Sequence, residues 1–337
     1  MTATMKILLI RFSSFGDVTE CLSVPSKLTE TFPHSEIHWL TRNDLAPLLE
    51  HHKSIHRIIR FDRKLGLLGL MKLAWSLRQE NYSHIYDIHN NLRSRIVCLL
   101  LKNFFSSRPL LLRRPVYRWK RFLLFRFRIN RFQMPFSGQR DMLQPLKKWG
   151  LTDTLPPPPQ IFVQDHEVQR ARDLLGSFSN ALACAPSAAY HLKRWPKQNW
   201  IDLIRLLPTQ KFILLGGAED GFIQDIADAF PERTLNLSGK TNFRELCAIV
   251  NLAKGVIAND TGILHVGEQL GKKCIALMGP APFGFPSRPT TKILERQLPC
   301  KPCSKHGKGP CRNKNYHQCL LEIHPYEVAK HAQEWLS

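Results

Sequence analysis

Short apolar runs that alternate with stretches of helical spacing restrict this chain to an α/β architecture with parallel strands. In the first half the runs are Lys6–Phe12, Glu36–Leu40, His56–Phe61 and His84–Ile88, with helical spacing over Leu65–Arg78 and Asn91–Leu101. In the second half they are Leu182–Ala185, Lys211–Leu215, Gly255–Ala258 and Cys274–Met278. The helical stretches there are His166–Leu175, Gln198–Leu206, Gly221–Phe230, Phe243–Leu252 and Ile263–Leu270. A composition of 43% hydrophobic and 22% charged residues supports packed cores. A length of 337 residues suffices for two of them.

Leu155-Pro156-Pro157-Pro158-Pro159 stiffens the chain between the two series. The expected organisation is a Rossmann-like domain over 1–150, a linker over 151–160 and a second Rossmann-like domain over 161–324. A cysteine-rich loop at 300–319 belongs to the second domain, and a final helix over 325–337 folds back on the first. Two such halves would face a central cleft, with ligands beyond the carboxyl ends of the strands. After the first apolar run, Ser13–Val18 turns into an expected helix carrying Cys21, Leu22 and Leu28, and Pro25 lies too far inside it for an undisturbed helix, so a kink or late start is expected there.

Gly255–Glu268 reads as strand, tight turn and helix, with Asn259-Asp260-Thr261-Gly262 at the junction. Unpaired backbone N–H groups and the positive end of a helix dipole suit a phosphate or diphosphate, and Gly262 lets an anion approach. An ordinary N-cap is the simpler explanation of the same residues. Two further strand-end loops carry chemistry-bearing groups. Ser13-Ser14-Phe15-Gly16-Asp17 follows the first strand, and Asp17 is either a general base or a helix cap. Ser187–Pro196 contains Lys193, either a mobile charge that follows a diphosphate or an exposed loop lysine.

The net charge of +21 calls for an anionic partner. It is concentrated: from Ile88 to Arg140 there are thirteen Lys or Arg residues and no Asp or Glu. Within Arg108–Phe132, cations such as Arg118 and Arg121 interleave with Trp119, Phe122 and Phe125. That mixture fits a segment lying at an anionic membrane surface, and equally the solvated face of an ordinary helix. A nucleic-acid patch fits less well, because no known nucleic-acid-binding motif accompanies it. No apolar run approaches the roughly 18 residues needed to cross a bilayer. Ile7–Ile10, followed at once by Arg11, is too short for a signal-peptide core, so a cytoplasmic location is expected. Five of the nine cysteines (Cys21, Cys98, Cys184, Cys247 and Cys274) lie in apolar runs, as reduced buried thiols do.

Four stretches together resemble the bacterial lipopolysaccharide heptosyltransferases, glycosyltransferases of the GT-B fold that use ADP-heptose. They are Lys6–Val18, Lys193-Arg194-Trp195-Pro196, Asn259–His265, and Cys300-Lys301-Pro302-Cys303 with Cys311, Cys319 and Ile323-His324-Pro325. The resemblance spans nearly the whole chain and is weaker in the basic middle region.

It implies an inverting single displacement in which a heptose passes from ADP-L-glycero-D-manno-heptose to the inner core of lipopolysaccharide, with Asp17 as catalytic base. Ser187, Lys193, Asp260, Thr261, Gly262 and His265 would bind the nucleotide-sugar, with Thr241 and Glu219 or Asp220 toward adenine or ribose. Ser14, Gly16, Arg60, Arg63, Lys64, Arg118 and Arg121 would meet a lipid A-linked acceptor. The implied protein is a monomer on the inner face of the inner membrane, without an obligatory cofactor or nucleic-acid partner. Glu20 and Cys21 stand where family members more often carry small or apolar residues. Cys300-x2-Cys303 with Cys311 and Cys319 could supply four zinc thiolates, with His306 or His317 as substitutes. The spacing departs from paired C-x2-C knuckles, and a reduced or partly oxidised structural loop is the favoured reading. The alternatives are another GT-B enzyme acting on a different nucleotide-sugar, as a transferase or an epimerase, and a non-catalytic cationic protein that binds acidic lipid or nucleic acid.

Overall fold

A computed structural model describes residues 5–102 and 109–335. Arg108, at the start of the basic segment, and residues 336–337 of the expected final helix lie outside the described residues. Contact density divides the chain into one unit of residues 1–117 and 139–162, and another of residues 118–138 and 163–337.

The N-terminal unit is built on β1 (Lys6–Ile10), β2 (Glu36–Arg42), β3 (Arg57–Phe61), β4 (His84–Asp87) and β5 (Leu110–Arg113). All pair in parallel, in the order β3-β2-β1-β4-β5. The C-terminal unit is built on β6 (Leu182–Ala185), β7 (Phe212–Leu214), β8 (Thr234–Asn236), β9 (Gly255–Asn259), β10 (Cys274–Met278) and β11 (Thr291–Glu295). These are also parallel, in the order β11-β10-β9-β6-β7-β8. Helices flank both sheets, as in the two Rossmann-like domains of the GT-B architecture. Continuous apolar runs such as Cys274–Met278 are buried along their whole length, because helices leave such strands no solvated face.

Each sheet starts near its middle, winds to one edge, and then crosses back to wind the other way. The reversal falls between β1 and β4 in the first sheet and between β6 and β9 in the second. Beyond the carboxyl ends of strands at such a reversal, flanking loops diverge and leave backbone groups available to ligands.

The run of helical spacing after β1 is two helices, Phe15–Glu20 and Ser23–Thr31. Pro25 occupies the third position of the second helix, where its missing N–H would have had no partner in any case. The strands β5, β8 and β11 are additional to the eight apolar runs. β5 lies inside the basic segment, and only Leu112 of its four residues is buried, so its strand character is masked by exposed Leu110, Leu111 and Arg113.

The single boundary expected at 151–160 is replaced by an exchange. Residues 118–138 group with the C-terminal unit, where Phe125, Phe132 and Phe136 pack around Phe283 with ring centroids 6.5, 5.1 and 5.1 Å away. The Pro-rich stretch groups with the N-terminal unit, where Ser26 Oγ donates to Gln160 Oε1 at 2.6 Å. The helix Pro325–Gln333 packs within its own unit. Its Val328, Ala329 and Ala332 join the core around Trp195, Trp200 and Leu203.

Candidate functional site

In the N-terminal unit, the chain leaves β1 through Arg11 and enters the helix Phe15–Glu20 with Ser14 as N-cap. Asp17 is the third helical residue and reaches back to that cap. Its Oδ2 accepts from the Ser14 N–H at 3.1 Å and from the Ser14 hydroxyl at 2.6 Å. The same oxygen lies 2.7 Å from an Arg11 guanidinium nitrogen. Arg11 itself is buried, and its other amino group donates to the carbonyl of Ile88 just past β4 at 3.1 Å. The Asp17 side chain keeps 37% of its surface, so the carboxylate is held from below and reachable from outside. Desolvation works against its charged form, yet the Arg11 cation and the Ser14 hydrogen bonds outweigh it and hold Asp17 well below the usual carboxylate range.

Gly16 sits in the first turn of the same helix. His89, after β4, packs edge-on against Phe12 at 5.5 Å, and burial together with Arg11 pushes its pKa down to about 4. Arg60 lies exposed on β3 with Glu50 Oε1 at 2.6 Å, while Arg63 and Lys64 form an exposed turn held by Asp62 Oδ1, which accepts from the Lys64 N–H at 2.9 Å. Arg118 and Arg121, expected with these acceptor-side groups, group with the C-terminal unit. The Arg121 guanidinium sits 5.0 Å above the Phe283 ring.

In the C-terminal unit, the loops after β6 and β9 are stitched together by Asn259. Its Oδ1 accepts from the Trp195 N–H at 3.0 Å and its Nδ2 donates to the Pro186 carbonyl at 2.7 Å. That brace sets Lys193 Nζ 2.6 Å from Asp260 Oδ2, with both side chains largely buried. Thr261, next to Asp260, holds the N-cap position of the helix Gly262–Gln269 without a side-chain cap bond, so the first N–H groups of the helix start beside this pair. Gly284 packs against Asp260. Its φ is +97°, and a Cβ there would stand 2.4 Å from Asp260 Oδ1.

Ser187, Gly216 and Gly239 cluster at the ends of β6, β7 and β8. Ser187 Cβ lies 3.5 Å from where a Gly216 Cβ would be, and the Gly239 N–H donates to the Gly216 carbonyl at 3.0 Å. Glu219 is exposed on this rim and Thr241 is partly buried, just before the Asn242 cap of the helix Phe243–Leu252. Asp220 is buried with Arg194 at 3.0 Å, accepts from the Gly217 N–H at 2.8 Å and serves the loop. His265 lies one turn inside the helix, buried with Nδ1 3.6 Å from Glu268.

The cysteine-rich loop supports the Lys193 loop. His317 Nε2 donates to the Leu192 carbonyl at 3.0 Å, and the Lys193 stem runs past Gly307, whose Cβ would meet Lys193 Cγ at 2.5 Å. Burial lowers the His317 pKa, consistent with a neutral donor. Cys300, Cys303 and Cys311 are partly buried and Cys319 is buried, all as thiols. Burial pushes Cys319 up to about 11 and raises Cys303 as well. Among the described residues no group of three or more His, Cys, Asp or Glu side chains is arranged to hold a metal ion. No helix among them is long and apolar enough to cross a membrane.

Sequence reasoning missed the roles of Arg11, Asn259, Gly284, Gly307 and His317. Arg11 and Asn259 lie inside the motifs Lys6–Val18 and Asn259–His265, but nothing local gives their partners. Gly284, between Phe283 and Phe285, carried the one usable signal, a glycine in a Gly- and Pro-rich run after a buried strand.

A family model described as glycosyltransferase family 9 (heptosyltransferase) matches residues 70–317. Lipooligosaccharide heptosyltransferase 2 of Haemophilus influenzae is 26% identical over 99% of this chain and 100% of its own length. A glycosyl transferase family 9 crystal structure from Veillonella parvula superposes with a TM-score of 0.80 at 20% identity, covering 100% of this chain and 98% of that one. The ADP-heptose lps heptosyltransferase II of E. coli superposes with a TM-score of 0.70 at 21% identity, covering 98% of each chain.

Proposed function

The chain belongs to glycosyltransferase family 9, the heptosyltransferases, and from that premise we propose that it transfers a heptose from ADP-L-glycero-D-manno-heptose to the inner core of lipopolysaccharide. The observation that carries the reading is the Lys193–Asp260 pair beside the amino end of the helix Gly262–Gln269, at the winding reversal of the C-terminal sheet. A cation and converging N–H groups there suit a diphosphate.

In the proposed step an acceptor hydroxyl oxygen attacks the anomeric carbon as the bond from that carbon to the β-phosphate oxygen breaks. The hydroxyl proton passes to the Asp17 carboxylate, and ADP departs with one additional negative charge. Lys193 and the N–H groups of the Thr261–Gly262 turn stabilise that charge as it develops. Asp17 paired with Arg11 is a weak base toward a resting alcohol. It is always ionised at neutral pH, however, and the hydroxyl becomes acidic as its oxygen bonds to carbon. Ser187, Thr241 and Glu219 ring the strand ends available to the nucleoside. Ser14, Gly16, Arg60, Arg63 and Lys64 offer hydrogen bonds and positive charge to an anionic acceptor. Arg118 and Arg121, with Trp119 and Phe122 beside them, offer a cationic aromatic surface to the anionic membrane holding that acceptor, on its cytoplasmic face.

The test is a thermal-shift panel with ADP, ADP-heptose, UDP and UDP-sugars. ADP and ADP-heptose raise the melting temperature and the uridine compounds do not, since a ligand at about 100 times its Kd adds about 2.7 kcal/mol. A response to uridine compounds alone overturns the donor assignment.

A further inference from the structure

The helix Gly66–Ser76, of sequence GLLGLMKLAWS, is apolar apart from Lys72 and Ser76 and yet only half covered. Its inner face supplies Leu70 and Ala74 to the core that also holds Leu8, Ile10, Leu40 and Ile59. The opposite face is open. Leu68 is 74% exposed and Trp75 63%, with Met71 between them and Leu65 at 61% just before the helix. Positions 68, 71 and 75 share one side of an α-helix, so these side chains form a continuous apolar stripe. A helix of this kind is normally buried, and an exposed patch of this kind marks an interaction surface.

The charges around the stripe identify what covers it. Lys64 and Lys72 flank it, and Arg78 lies 4.8 Å from the Trp75 ring. Between Asp62 and Glu80 there is no carboxylate. A second copy of the chain meeting this face about a two-fold axis would oppose its own cations with no carboxylate on the helix itself to pair them. Eleven residues rise only about 16 Å, too short for the roughly 30 Å of a hydrocarbon core, so the helix cannot insert lengthwise. A bilayer surface with anionic head groups satisfies both halves of the pattern. Leucine, methionine and tryptophan enter the acyl boundary, and lysine and arginine meet the phosphates.

We propose that the exposed face of the helix Gly66–Ser76 docks the protein on anionic bilayers, separately from the aromatic and basic helix Arg118–Phe127. This deepens the membrane placement proposed above by naming a surface. Vesicle binding is measured without donor or acceptor, so its failure leaves the transferase reading intact, and a failed donor assay leaves the docking surface intact.

The full chain is sedimented with phosphatidylcholine vesicles with and without phosphatidylglycerol, alongside Leu68→Ser/Trp75→Ser, Lys72→Glu and Trp119→Ser/Phe122→Ser. Melting temperature and sedimentation velocity are recorded for each. The wild-type chain binds only the vesicles with phosphatidylglycerol. Leu68→Ser/Trp75→Ser and Lys72→Glu each weaken that binding, the former by about tenfold or more, with unchanged melting temperature, because the replaced groups are exposed. Three results overturn the proposal: no binding of the wild-type chain to anionic vesicles, loss of binding confined to Trp119→Ser/Phe122→Ser, or a wild-type dimer that Leu68→Ser/Trp75→Ser dissociates while vesicle binding persists.

Discussion

An Arg11 guanidinium nitrogen lies 2.7 Å from Asp17 Oδ2, so the carboxylate proposed as base is also one half of an ion pair anchored under β1. The pairing fixes its protonation. Its pKa is depressed in the folded chain, so the ionised form persists well below neutral pH, and the stability contributed by the pair is present above the unfolded value and lost as pH falls through the folded one. Asp17→Ala is expected to abolish transfer while ADP still raises the melting temperature. Arg11→Gln should move the acidic limb of the kcat profile to higher pH, toward the ordinary carboxylate range. Wild-type turnover in Asp17→Ala would remove the assignment of the base.

Lys193 and Asp260 form a largely buried pair with little redundancy. Lys193→Met leaves a buried carboxylate without its cation, which costs about 3–5 kcal/mol by denaturant unfolding. It also removes a charge from the leaving group, and kcat is expected to fall by about 10²–10³. Unaltered steady-state kinetics in a folded Lys193→Met protein would place the diphosphate elsewhere.

Gly284 combines a positive φ with contact at Asp260. Gly284→Ala should destabilise the chain by about 1–3 kcal/mol through backbone strain. It should also weaken ADP binding in calorimetric titration, because the new Cβ displaces the Asp260 carboxylate from Lys193. Gly150, also at positive φ but with open space around it, is the control. Gly150→Ala should lower stability without touching ADP affinity.

His52 gives the chain an acid-sensitive point in its N-terminal unit. Its Nε2 donates to the Leu22 carbonyl at 3.0 Å, and burial pushes its pKa down to about 4. Between its ordinary value and about 4 the unfolded chain binds a proton that the folded chain does not. Stability therefore falls as pH drops through that window, by on the order of 2–3 kcal/mol between pH 7 and pH 4. His52→Gln should flatten this part of the stability profile in urea titrations, and an unchanged slope would contradict the buried neutral form.

The elements legible in the sequence were those whose signals are local. β1, β9 and β10 are continuous apolar runs with a turn at their carboxyl ends, and each formed close to where its run stands. β8 and β11 did not announce themselves. β8 has only three residues, and β11 is an edge strand with Lys292 exposed. The resemblance places Arg118 and Arg121 on the acceptor side, yet their segment groups with the C-terminal unit. Their neighbours' aromatic rings instead find Phe283, more than 140 positions downstream.

By itself the sequence determined that the chain forms two parallel α/β units and which strand-end loops carry a carboxylate, a cation and a helix start, because periodicity and turn chemistry act over a few residues. Only the tertiary structure decided which groups meet. Strand order brings Asn259 to Trp195 and Pro186, Asp260 to Lys193 and Gly284, and Arg11 to the carbonyl beyond β4. It also leaves Leu68 and Trp75 uncovered while Leu70 and Ala74 are packed. Each of those outcomes depends on which distant segment arrives alongside, and hydrophobic packing is indifferent to separation along the chain.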